Sequence, residues 1–153
     1  MFLGLLERVA EIVGEPLLDN VRETLGSSLR YFREAAPKHT EDEEQSLFPR
    51  LRRCQHPSVQ AAITNLDSLE EQHRRADFLH AKIDRLGRIY LRDGLLPPAE
   101  AEQFRESVSE LSLIYQEHIR VEDTQVFPAA ALALSEDETA VIAAEMAGRR
   151  KRP

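Results

Sequence analysis

Two stretches of the chain carry the same arrangement of chemically capable side chains. His39-Thr40-Glu41-Asp42-Glu43-Glu44-Gln45-Ser46-Leu47-Phe48-Pro49 and His118-Ile119-Arg120-Val121-Glu122-Asp123-Thr124-Gln125-Val126-Phe127-Pro128 both read H-x-x-x-E-[ED]-x-x-[LV]-F-P. A His and a Glu four positions apart sit on one face of an α-helix, separated by roughly 6 Å along its axis. An imidazole nitrogen and a carboxylate oxygen so placed can converge on one metal ion or bridge a pair.

The direction in which these side chains point gives the repeat its meaning. His39 continues a spacing-of-seven series through Leu25 and Phe32, and Glu43 continues Leu29 and Ala36. His118 likewise comes after Phe104 and Leu111, while Glu122 comes after Val108 and Tyr115. Each His-Glu pair therefore replaces apolar residues along a buried stripe. A lone carboxylate pushed into a core costs several kcal/mol and normally neutralises instead. Two such pairs on facing helices require a compensating cation, which a metal supplies.

A third helix adds further candidates. Leu66, His73, His80 and Gly87 form its seam, with Leu69, Ala76 and Ile83 beside it. His73 is expected to point inward as a ligand. Asp77 sits at the edge of the same stripe, where Arg74, Arg75 or Lys82 could pair with it instead. His80 lies about 10 Å further along the axis, too far for the same ion unless the cluster is elongated, and could bond a neighbouring helix. Glu44 and Asp123 fall one position off their stripes and are expected on solvated faces, Asp123 being the more open case. Phe48 and Phe127 are expected to cap the core below the site, and His56, beside Pro57, to be solvated in a loop.

The elements that must position these groups read as helices almost throughout, with strand signals nearly absent. A short first helix spans about Phe2 to Val13, closed by Gly14 and Pro16. A second begins near Leu17, carries Leu18, Leu25, Leu29 and Phe32, is interrupted or kinked at Pro37, and resumes through Leu51. Ser58 is a plausible N-cap for a third helix from about Val59 to Arg92, and Asp93-Gly94 ends it. A fourth starts near Pro98, where proline suits a first turn, and runs to about Val126. Ser135-Glu136-Asp137-Glu138 forms a capping-box pattern opening a fifth, short helix through Met146. The expected fold is all-α: an antiparallel up-down four-helix bundle with a shortened first helix and a short C-terminal fifth. It occupies residues 1–148 as one domain, with 149–153 as a disordered basic tail.

Bulk properties agree with that architecture. At 153 residues the chain can bury a substantial core. A formal net charge of -7 disfavours a nucleic-acid partner, because the phosphate backbone calls for a basic face. Cys54 is the only cysteine, so no internal disulfide can form. No segment has the pattern of a signal peptide or a membrane span, so the expected location is cytoplasmic. Hydrolase, kinase and dehydrogenase fingerprints are absent.

The residues quoted above resemble the hemerythrin-like, or HHE cation-binding, family. The resemblance rests on His39/Glu43 with Leu47-Phe48-Pro49, on Glu71-Gln72-His73, and on His118/Glu122-Asp123 with Val126-Phe127-Pro128. It implies a bundle enclosing an oxo- or carboxylate-bridged di-iron site. It also implies that His39, His73 and His118 are terminal ligands, that Glu43 bridges the irons, and that Glu122 or Asp123 is a second bridge. Two departures stand out. Asp77 occupies the place where the family typically has a second His four residues after the first, and no His precedes His39 on the first helix. That helix reads as though its upper half were missing. A set with fewer imidazoles and more carboxylates is harder and more open. Iron is thus expected to be held weakly or incompletely, with manganese or zinc as substitutes. An apolar groove at the N-terminal end is expected to be covered by a second copy of the chain.

The leading functional expectation is a non-enzymatic protein that binds or senses oxygen, nitric oxide or iron. The alternative is a di-iron oxidase or peroxidase of ferritin-like character, although only Glu70-x-x-His73 has the motif order such enzymes use. A third reading is a metal-free interaction bundle.

Overall fold

The computed structural model describes residues 2–151, apart from the side chain of Ser58. Among the described residues every regular element is a helix: α1 (Phe2–Ile12), α2 (Asp19–Glu34), α3 (Ala36–Asp42), α4 (Phe48–Arg53), α5 (Gln60–Asp93), α6 (Pro98–Val121), α7 (Phe127–Ala133) and α8 (Glu136–Arg150). Two π-helical turns, Glu43–Leu47 and Glu122–Val126, join α3 to α4 and α6 to α7, and a 3₁₀ turn spans Pro57–Val59. No helix among the described residues is long and apolar enough to cross a membrane.

The chain divides into two compact units, Met1–Ala36 with Arg75–Tyr115, and Pro37–Arg74 with Gln116–Pro153. In the first, α1 contributes Leu6, Val9 and Val13, and α2 contributes Leu25, Leu29 and Phe32. They meet Leu79, Ile83, Leu86 and Tyr90 of α5 and Phe104, Val108 and Leu111 of α6. The three- and four-residue spacings put each set on one helical stripe. Full burial stabilises each such side chain by about 1.5–3 kcal/mol. Gly87 allows close approach: a Cβ there would lie 2.7 Å from Leu29 Cδ1. Gly94, at φ +74°, terminates α5 in the left-handed region that glycine enters freely. Leu18, expected on the inner stripe, is 60% exposed just before α2 begins.

The second unit has its own apolar cluster, built from Leu47, Phe48 and Leu51, from Val59, Ala62, Leu66 and Leu69, and from Val121, Val126, Ala129 and Ile142. The capping box opens α8 as the sequence implies, with Ser135 Oγ accepting from the Glu138 N–H and Glu138 Oε2 accepting from the Ser135 N–H. The cap expected of Ser58 rests on a side chain outside the described residues. Helix α8 continues past Met146 to Arg150. Arg149 and Arg150, expected in a disordered tail, are therefore helical, and Arg149 is buried against Asp42. Arg152 and Pro153 lie outside the described residues.

The π turns have a visible cause. Pro49 and Pro128 come directly after each repeat's Phe, and a proline there can neither donate to the carbonyl four residues back nor fit its ring beside it. Widening the turn by one residue relieves both problems. The Phe48 N–H then bonds to the Glu43 carbonyl, and the Phe127 N–H to the Glu122 carbonyl. One added residue swings the downstream helix by about 100° relative to an unbroken one. Such insertions occur frequently at functional sites.

Candidate metal centre

The second unit brings together all five residues that the repeat and the third helix single out. Glu43, His73 and His118 each offer a ligand atom within 4.8 Å of the others, and so do His39, Glu43 and Glu122. Glu43 belongs to both groups. Its Oε2 lies 3.1 Å from His73 Nε2 and 3.9 Å from His118 Nε2, and its Oε1 lies 3.2 Å from His39 Nε2. His118 Nε2 is also 3.2 Å from Glu122 Oε1 and 3.2 Å from His73 Nε2. The ring of Phe48, fully buried, lies parallel to His73 at a centroid distance of 6.2 Å.

The far nitrogens of the two buried rings are engaged. His73 Nδ1 is 2.7 Å from Glu44 Oε1, and His118 Nδ1 is 2.9 Å from Gln72 Oε1. A carboxylate oxygen and an amide oxygen only accept, so each Nδ1 carries the proton and donates it. The neutral rings then turn bare Nε2 lone pairs toward each other and toward Glu43. With both rings neutral those contacts hold no proton; a proton added at an Nε2 makes hydrogen bonds of them, and Glu43 and Glu122 favour that addition at His118. Glu43 Oε1 and Oε2 and Glu122 Oε1 are buried without a hydrogen-bond partner. Acceptors converging in this way call for a cation, either a proton on a ring nitrogen or a metal ion.

Electrostatics point the same way. Burial opposes ionisation of Glu43, yet the His118 and His73 rings, with Glu122 beside it, hold its carboxyl well below the usual carboxylate range. Burial, with Glu43 adding to it, raises Glu122. The His118 imidazole is pulled down by burial but more strongly up by Glu122 and Glu43, to about 9. His73 likewise rises, burial being outweighed by Glu43 and Glu44. Without a metal, a proton on a ring nitrogen is the least cation that relieves the cluster. The donor set of three imidazoles and two carboxylates suits iron, manganese or zinc.

The structure places the remaining candidates, some of them away from their expected positions. His39 reaches Glu43, but its side chain is 55% exposed instead of inward, placing it at the mouth of the cluster. Asp77 is exposed on α5 in the first unit and joins neither group. His80, also in the first unit, is absorbed by packing: its Nε2 is 3.2 Å from the Tyr115 hydroxyl, and its ring lies 4.9 Å from that of Phe32. Asp123 is exposed, as its place off the stripe implies, and lies outside both groups, so of the two residues that the family resemblance offered as a second bridge only Glu122 remains. Phe127 is 40% exposed, and Val126 is the buried residue of its turn. Glu44, expected on a solvated face, is the acceptor that orients His73. Gln72 does the same for His118, a role its place beside His73 hinted at without specifying.

With this geometry in place, comparison with known proteins gives a family. Residues 1–130 match the hemerythrin HHE cation binding domain. The chain belongs to that family, whose domain binds metal cations. No curated protein matches the chain.

Proposed function

We propose that the cluster is a non-haem iron centre, with Glu43 shared between two ions, and that the protein binds or senses oxygen, nitric oxide or iron itself. The observation that carries this reading is the convergence of His73 Nε2, His118 Nε2 and the Glu43 carboxylate, with both Nδ1 atoms tied back. Orienting partners of this kind fix the tautomer and raise the basicity of a ligating imidazole. His73, His118 and Glu43 would hold one ion, and His39, Glu43 and Glu122 a second. Iron bound there would supply a redox-active centre with open positions for a diatomic ligand.

The chain's own residues set the terms of that chemistry. Phe48 shields the inner side of the cluster, while exposed His39 leaves the outer side accessible. Five side chains for two ions make a sparse, carboxylate-leaning set, consistent with weak or partial occupancy. The test is metal analysis of the protein after anaerobic loading with ferrous iron, and then its absorption spectrum in air and under nitric oxide. Iron uptake with a ferric charge-transfer band that changes reversibly with gas supports the reading. Failure to retain any transition metal overturns it. Two tightly held irons per chain would refute the expected weakness, and sustained peroxide consumption would favour the oxidase reading.

A further inference from the structure

We propose that Arg149, on the C-terminal helix, is a positioning residue for the metal cluster, latching the π turn that carries Glu43. The inference rests on the reading of that cluster as a metal centre. Arg149 is 5% exposed. Its Nη1 donates to Asp42 Oδ1 at 2.9 Å and its Nη2 to Ser46 Oγ at 2.7 Å. Asp42 immediately precedes Glu43, and Ser46 lies within the π turn itself. One planar guanidinium thus grips the turn at its entry and in its middle, a two-point hold that a fixed fork geometry allows and a lysine cannot reproduce. The adjoining Arg150 reaches the other oxygen of Asp42 at 2.6 Å, and Glu145 of the same helix pairs with Arg50 at 2.9 Å.

A buried arginine needs a reason, since removing this charge from water is costly unless it is paired. Packing alone does not supply one here, because Ile142 already anchors α8 in the apolar cluster. The charges instead converge on a turn whose backbone departs from α geometry and that carries Glu43, the buried carboxylate common to both ligand groups. The second π turn is also gripped from outside, by Asn65 Nδ2 donating to Gln125 Oε1 at 2.8 Å. The latch on the first turn comes from residues beyond the family domain, whose match ends at residue 130. A site held to within fractions of an ångström depends on such support.

Cobalt(II) titration of the full chain, read by its visible absorption, tests the proposal beside thermal unfolding of the metal-free protein. Arg149→Met is expected to weaken cobalt binding at least tenfold and to alter the band shape. Val59→Ala, which trims the same apolar cluster without touching the latch, is expected to lower the melting temperature while leaving affinity within about threefold. Arg149→Lys, which keeps a cation by Asp42, is expected to fall between wild type and Arg149→Met. Should Arg149→Met fail to fold, Arg149→Lys and Ser46→Ala carry the comparison. Unchanged cobalt binding in the latch variants, or affinity that simply tracks melting temperature across the set, overturns the latch. A wild-type chain that takes up no cobalt overturns the metal-centre reading itself, and the latch with it.

Discussion

His73 and His118 show how much one hydrogen bond on the far side of a ring decides. With Nδ1 donating to Glu44 or Gln72, the other nitrogen is the one left to take a metal or an added proton, and both Nε2 atoms aim at the same small volume as Glu43. Glu44→Ala is expected to reduce metal affinity roughly 10- to 100-fold while the protein still folds, a cost typical of losing an orienting partner. Parallel cobalt titrations of variant and wild type check it. His80 is the contrasting case, an imidazole that burial holds neutral down to about 4, against an ordinary value of 6.5. The unfolded chain protonates this ring below pH 6.5 while the fold does so only near 4. Stability is therefore complete above pH 6.5 and falls as pH drops through that window. Between about pH 7 and 5 the loss attributable to His80 is about 2 kcal/mol. Urea denaturation at both pH values should show a loss smaller by that amount in His80→Gln.

At the scale of elements, spacing in the sequence located nearly every helix because apolar residues recur at three and four along each. Pro37, Pro98, Gly94 and the Ser135 capping box act where their backbone chemistry says they should. Periodicity could not see the π turns. The pattern L/V-F-P announces a proline inside a helix, but whether the chain kinks, breaks or widens there depends on what packs against it. The same turn precedes buried Phe48 and half-exposed Phe127, so what packs against each ring decides its burial. The place of Arg149 was equally hidden, because a basic residue near a chain end reads as solvated until Asp42 is found buried opposite it. Gly87, by contrast, stood openly on the seam of α5. Gly87→Ala would force its Cβ against Leu29, and the overpacking should outweigh the gain in helix propensity, lowering stability by about 1 kcal/mol in urea denaturation.

For the molecule as a whole, the repeat pointed to a cation: two His-Glu pairs continue apolar stripes, and Glu43, His118 and Glu122 are buried while His39 stands exposed at the mouth of the cluster. Spacing alone left Asp77 and His80 open, Asp77 at the edge of its stripe and His80 about 10 Å further along the axis, and it set Asp123 one position off its stripe. Burial and the third dimension separated them. Because a metal binds the folded state and not the unfolded one, loading should raise the melting temperature, with stabilisation of about 2.7 kcal/mol at a free concentration about one hundred times the dissociation constant. The measurement that tests the account most directly is a transition-metal titration of wild type beside Glu43→Gln, since Glu43 is the one residue common to both groups. The expected result is saturable uptake of iron or cobalt by wild type, with a rise in melting temperature, and loss of both in the variant. Equal uptake by the two proteins, or none by wild type, would contradict it.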